Sequence, residues 1–127
     1  MFHYTIDVPF SVEEAITRLE ASLKEEQFGV QFQFNVQETL QKKGFDFDST
    51  FVILEVCNPK EAKRVLEEDL MMGYFLPCKL VVYEKENQTK VGMLKPTALT
   101  DMIDNEQIKA IAGSIEERLK KCMDQLK

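Results

Sequence analysis

A chain of 127 residues with 44% hydrophobic content has the size and composition of one domain, residues 1–127, built around its own core, which excludes the low-hydrophobicity class of disordered segments. Its net charge of −6 and pI near 4.9 work against phosphate backbones and anionic lipid headgroups, both of which are bound chiefly through Lys and Arg. Nucleic-acid and membrane partners are therefore not expected.

The opening Met1-Phe2-His3-Tyr4 has no basic segment followed by a long apolar one, and no apolar run approaches the roughly 20 residues of a membrane span. Three cysteines, Cys57, Cys78 and Cys122, are widely spaced and form no CxxC pair. Reduced thiols in a cytoplasmic protein are the expectation.

Phe2, Tyr4, Ile6 and Val8 alternate with polar residues, the period of a half-buried strand that ends at Pro9. Ser11 followed by Glu14 is a capping box, and Val12, Ala15, Ile16, Leu19 and Leu23 recur at helical spacing. A helix is predicted from Val12 to Gln27, stopping before Gly29. Val30, Phe32, Phe34 and Val36 then alternate with Gln31, Gln33 and Asn35, which predicts a second strand with an apolar face under the helices and an amide face outside. A short helix over Val36 to Lys43 stops at Gly44, and Phe45 to Ser49 reads as loop.

Thr50 to Cys57 is an almost continuous apolar run, the pattern of a central strand. Asn58-Pro59 opens the next helix, because asparagine caps free N–H groups and proline has none to leave unbonded at the first helical position. Gly73 is expected to stop it. Leu76 to Lys85, the polar turn Glu86 to Thr89, and Lys90 to Leu94 predict a hairpin. Lys95-Pro96-Thr97 breaks the pattern, and a long amphipathic helix follows through Ile108, Ile111, Ile115, Leu119 and Cys122, with Asp104 as the expected cap.

Five strands and three substantial helices predict a two-layer α+β domain: a mainly antiparallel five-stranded sheet with helices on one face. The other face would carry His3, Thr5, Asp7, Gln31, Gln33 and Asn35. On the central strand the lone carboxylate, Glu55, points the set Phe51, Ile53, Glu55 and Cys57 outward as well. His3, Glu55 and Cys57 together would offer metal ligands or a nucleophile and its base. Against this stands the plainer reading, a solvated glutamate and an ordinary terminal histidine. Cys78 and Cys122 read as small buried hydrophobes. No GxGxxG, GxxxxGK or serine elbow occurs, so neither nucleotide binding nor a hydrolase triad has support.

The segments Val52-Ile53-Leu54-Glu55-Val56-Cys57-Asn58-Pro59-Lys60 and Gly73-Tyr74-Phe75-Leu76-Pro77-Cys78, continuing to Tyr83-Glu84, carry a family resemblance. The chain resembles domain-of-unknown-function family 302 over essentially its whole length. The resemblance implies a small antiparallel sheet with helices on one side, loosely similar to TATA-binding protein, and places Cys57 and Cys78 within its paired motifs. It implies no activity. The chain departs from the family pattern at Glu67-Glu68-Asp69-Leu70-Met71-Met72, where many members have Asp-Pro and small residues.

The resulting expectation is a binding or interaction module without a catalytic signature, which forms a homodimer or takes a small ligand on the open sheet face. The residues singled out are His3, Gln33, Phe51, Ile53, Glu55, Cys57 and Cys78. The alternative is a thiol- or metal-dependent protein acting through Cys57 and Cys78; the residues specify neither a cofactor nor a metal.

Overall fold

A computed structural model describes all residues, 1–127. The elements run β1 (His3–Val8), α1 (Val12–Glu25), β2 (Gly29–Asn35), α2 (Val36–Lys42), β3 (Phe51–Cys57), α3 (Pro59–Glu68), a 3₁₀ segment (Leu70–Phe75), β4 (Cys78–Lys85), β5 (Gln88–Leu94), α4 (Pro96–Thr100) and α5 (Glu106–Asp124). The five strands form one sheet in the order β1-β5-β4-β3-β2, and every neighbouring pair is antiparallel. The fold is thus α+β, with α1, α3 and α5 covering one face. No helix is long and apolar enough to cross a membrane.

The caps explain most of the helix starts. Ser11 Oγ accepts the Glu14 N–H at 3.1 Å, and Asn58 Oδ1 accepts from Lys60 and Glu61 ahead of α3, with Pro59 in the first turn. Each cap satisfies donors that the first helical turn cannot bond internally, a contribution of roughly 1 kcal/mol. At α5 the cap is Asn105 rather than Asp104, since it is Asn105 Oδ1 that accepts from Gln107 and Ile108.

Other boundaries also differ from expectation. After α1 the left-handed position is filled by Gln27 (φ 66°), which leaves Gly29 free to begin β2. The third helix ends at Glu68, and Gly73 lies inside the separate 3₁₀ segment that Asp69 caps. Pro96 opens α4 instead of merely breaking the chain; its first turn is capped from outside, because Thr97 donates from N–H and Oγ1 to Glu116 Oε1 of α5 at 3.2 and 2.6 Å. The β4–β5 hairpin closes on two residues, Glu86 and Asn87, both at positive φ, the conformation whose twist matches the flanking strands.

The core lies between sheet and helices. Ile6 and Val8, Val52, Leu54 and Val56, Leu80 and Val82, and Val91 and Met93 all face it and are buried. Their partners include Leu19 and Leu23 of α1 and Ile108, Leu119 and Met123 of α5. Each fully buried aliphatic side chain of this kind stabilises the fold by on the order of 2 kcal/mol.

The sheet departs from the predicted pattern in β2. Val30 pairs with Val56, yet Phe32 pairs with Glu55, so one residue, Gln31, is inserted as a bulge. Side chains alternate with period two, and an extra residue therefore reverses every later side chain on that strand. Val30 faces the helices as expected. Phe32 and Phe34 instead share the open side with Glu55 and Ile53, whereas Gln33 and Asn35 align with Leu54 and Val52 on the helix side. The outer face of β2 is aromatic, not amide.

Candidate functional site

The pairing registers arrange the open face in rows across the sheet. One row reads His3, Leu94, Lys79, Glu55 and Phe32; the next reads Thr5, Gly92, Val81, Ile53 and Phe34; the third reads Asp7, Lys90, Tyr83 and Phe51. Aromatic pairs reinforce one half of it. Phe32 stacks on Phe34 with ring centroids 6.4 Å apart, and Phe51 on Tyr83 at 5.1 Å. Phe32 is 56% exposed, and Phe34, Phe51, Ile53, Val81 and Tyr83 are all only partly buried.

The sequence-selected residues separate on this map. Phe51, Ile53, Glu55, Cys57 and His3 do lie on the open face, whereas Gln33 is carried off it by the bulge. His3 sits on an edge strand with β5 and β4 between it and β3, roughly 14 Å at the usual strand spacing. It bonds Thr5 Oγ1 instead, at 2.9 Å. His3, Glu55 and Cys57 are therefore not brought together, and no group of three His, Cys, Asp or Glu side chains is placed to hold a metal ion.

Cys78 pairs with Val56 and so faces the helix layer, opposite to Cys57 on the next strand. Both thiols border one cavity of about 330 Å³ at the end of the sheet. Its walls come from the end of β3 and start of β4, from α3, and from α4 and α5; Met72 and Phe75 of the 3₁₀ segment close it. Fifteen of its twenty-two lining residues are hydrophobic, which fits it to an apolar guest. At the rim Tyr74 is 82% exposed, and its neighbours Leu70 and Met71 are exposed too.

The buried polar groups at this cavity are engaged, while Glu55, partly exposed, and Lys79, exposed, also border it. Glu61, buried, pairs with Arg64 and with Arg118, whose Nη1 reaches Glu61 Oε2 at 2.9 Å. Arg118 also binds the Glu26 carboxylate at 2.9 Å and its carbonyl at 2.7 Å, and Asn58 donates to that carbonyl at 3.1 Å. The cluster fastens the end of α1, the start of α3 and the middle of α5. The Arg118 hydrogen bond holds the Glu26 carboxyl below its ordinary pKa. Burial, helped by the neighbouring Cys57, pushes the Cys78 thiol up to about 11, and burial raises Cys57 as well. Both stay protonated at neutral pH, opposite to the state a nucleophile or soft-metal ligand requires.

A family model described as "Domain of unknown function DUF302" matches residues 4–126. The chain belongs to the DUF302 family. Its fold is also that of a crystal structure of an uncharacterized conserved DUF302 protein from Bacillus stearothermophilus, at 57% sequence identity and a TM-score of 0.98, covering 100% of this chain and 99% of that one. No curated protein matches. Neither DUF302 description carries an activity, so the chemistry of the site has to come from its residues.

Sequence reasoning missed the cavity because Met72, Phe75, Leu76 and Ile108 individually read as ordinary core. The available signal was indirect: the run Leu70 to Leu76 holds more large apolar residues than one short connection can bury.

Proposed function

We propose that this DUF302 domain is a non-enzymatic binding module that takes a small, predominantly apolar molecule into the cavity at the end of its sheet. The observation that carries the reading is the mismatch between the cavity's lining and its polar groups. Most of the wall is apolar, while every buried side-chain nitrogen and oxygen of the protein already has a partner. A catalytic site needs groups left free to act on substrate, and here the buried acid, Glu61, is committed to two arginines, the other carboxylate, Glu55, is partly exposed, and the thiols are held protonated. Dispersion and water exclusion remain as the forces for recognition.

The reading moves the ligand from the open sheet face to the helix side of the strand ends. The test is methyl NMR of the full chain titrated with 1-decanol. Shifts at Ile108, Ile115 and Val56, and their loss in Ala112→Phe or the milder Ala62→Leu, are expected, since both substitutions fill the cavity from its walls. Shifts restricted to Ile53 and Val81, or none at all, would overturn it.

A further inference from the structure

We infer that the open face of the sheet joins two copies of this chain, packed face to face about a two-fold axis that runs along β4. The relief of the face leads to this arrangement. Its β2–β3 half is raised by Phe32, Phe34, Phe51 and Ile53. The middle row of its β5–β1 half is low, because Gly92 has no side chain and Thr5 is small. Its neighbours crowd Gly92: a Cβ there would stand 3.1 Å from Thr5 Oγ1 and 3.2 Å from Val81 Cγ2, tighter than ordinary contact.

A two-fold axis along the central strand exchanges the halves. It sets Ile53 over Gly92 of the second copy and Phe34 over Thr5, with Val81 on the axis. High ground on one copy meets low ground on the other, the self-complementarity that an isologous interface requires.

The area is sufficient. Five strands spaced about 4.8 Å apart, each of about six or seven residues at about 3.3 Å, give a footprint of roughly 500 Å² per copy, or roughly 1,000 Å² for the pair, before side-chain relief is added. That reaches the size at which specific association becomes stable.

Charge points to the same occupant. Asp7 and Glu55 against Lys79, Lys85 and Lys90 leave the face at +1, so with −6 for the whole chain the remaining surface carries −7. The open face, near neutral, is thus the part of the molecule on which two copies repel least. The axis sets Lys79 of one copy over Lys79 of the other, and the cross-strand neighbour Glu55 of each copy flanks that pair with opposite charge. Lys90, held by Asp7 at 2.6 Å, comes over Phe51 of the second copy, a cation–π pairing. Edge-to-edge association is disfavoured at β2, whose bulge interrupts the ladder a second strand would extend.

Sedimentation equilibrium of the full chain, up to millimolar concentration, tests the interface. The expected result is a dimer that Ile53→Lys and Phe34→Asp each weaken by at least roughly 30-fold. Lys79→Glu, at an exposed position that leaves folding intact, is expected to weaken it by gathering four carboxylates at the axis. Adding Thr5→Lys to Phe34→Asp should restore dimers, because the axis sets those two positions against each other. A strict monomer overturns the inference and gives the face to a different partner. A dimer indifferent to Ile53→Lys and Lys79→Glu overturns it by locating the contact elsewhere, and failure of the Thr5→Lys rescue overturns the axis along β4.

Discussion

The two sides of β3 carry nearly the same amount of apolar surface and meet opposite fates. Val52, Leu54 and Val56 vanish beneath the helices, Leu54 with 0% exposure, while Phe51, Ile53 and Cys57 stay partly exposed on the open side. Hydrophobicity alone therefore does not assign a side chain to the core. What differs is the other layer: three helices with apolar stripes stand on one side, and nothing in the chain matches them on the other. The helix side is the source of folding stability. The open side is where apolar surface remains available for association.

The largest test of this contrast is a pair of truncations measured by urea denaturation at protein concentrations too low for association. Leu54→Ala should cost about 3–4 kcal/mol, since it removes methyl groups from a filled core and leaves a void, whereas Ile53→Ala should cost about 1 kcal/mol. Equal losses would mean that the open face contributes to folding as a core does.

Next is the ion cluster that binds the helix layer together. Arg118→Met should destabilise by about 2–3 kcal/mol because it strips Glu61 of a charge partner while burying it still; Arg118 itself keeps 28% side-chain exposure, which holds the loss below that of a fully enclosed pair. Arg118→Met combined with Glu61→Gln should recover much of it. A double variant no better than the single one would show that the arginine acts through packing on Phe28, over which its guanidinium lies at 5.2 Å.

A smaller effect concerns acid. Arg118 lowers the Glu26 carboxyl; at Glu116 burial acts upward, but the Thr97 donors and Lys120 outweigh it and the net shift is downward from 4.5. A carboxyl with a depressed folded pKa contributes stability above its unfolded value and loses it as pH falls through the folded one. The urea midpoint should thus be insensitive to these groups near neutrality and decline below about pH 4.5, and Glu116→Gln should flatten part of that decline. An unchanged profile would remove Glu116 from the account.

The mildest distinction is kinetic. Cys57, nearer solvent, should react with a disulfide reagent before Cys78 and Cys122, and raising the pH toward 9 should speed Cys57 more than Cys78, whose thiol titrates near 11. Faster labelling of Cys78 would revive a thiol role for the cavity.

Much of the fold was legible because local chemistry and tertiary environment agree in β1, α1, β3, α3 and α5. Periodicity marked their buried sides, and Ser11, Asn58 and Pro59 marked their beginnings. The 3₁₀ segment and α4 were not legible, the latter because its cap is supplied by Glu116, nineteen residues away from Thr97. Of the candidate site, Phe51, Ile53, Glu55 and Cys57 were placed on the correct side by a single carboxylate. The cavity was hidden because it is a shortfall of packing among several elements distant in sequence, and no residue type announces such a shortfall. Gln33 was misplaced for a different reason: the alternation Val-Gln-Phe-Gln-Phe-Asn is unbroken in sequence, and the bulge exists only in how β2 pairs with β3.

That bulge makes Gln31 a parity switch. Were Gln31 to enter the ladder opposite Glu55, Phe32 and Phe34 would turn inward and Gln33 and Asn35 outward, converting the aromatic surface into an amide one; deleting Gln31 would leave Phe32 opposite Glu55 and Phe34 opposite Ile53, as they are now. The character of this face is thus a matter of strand pairing as much as of residue choice, and a chain one residue shorter here would keep both the fold and its aromatic side.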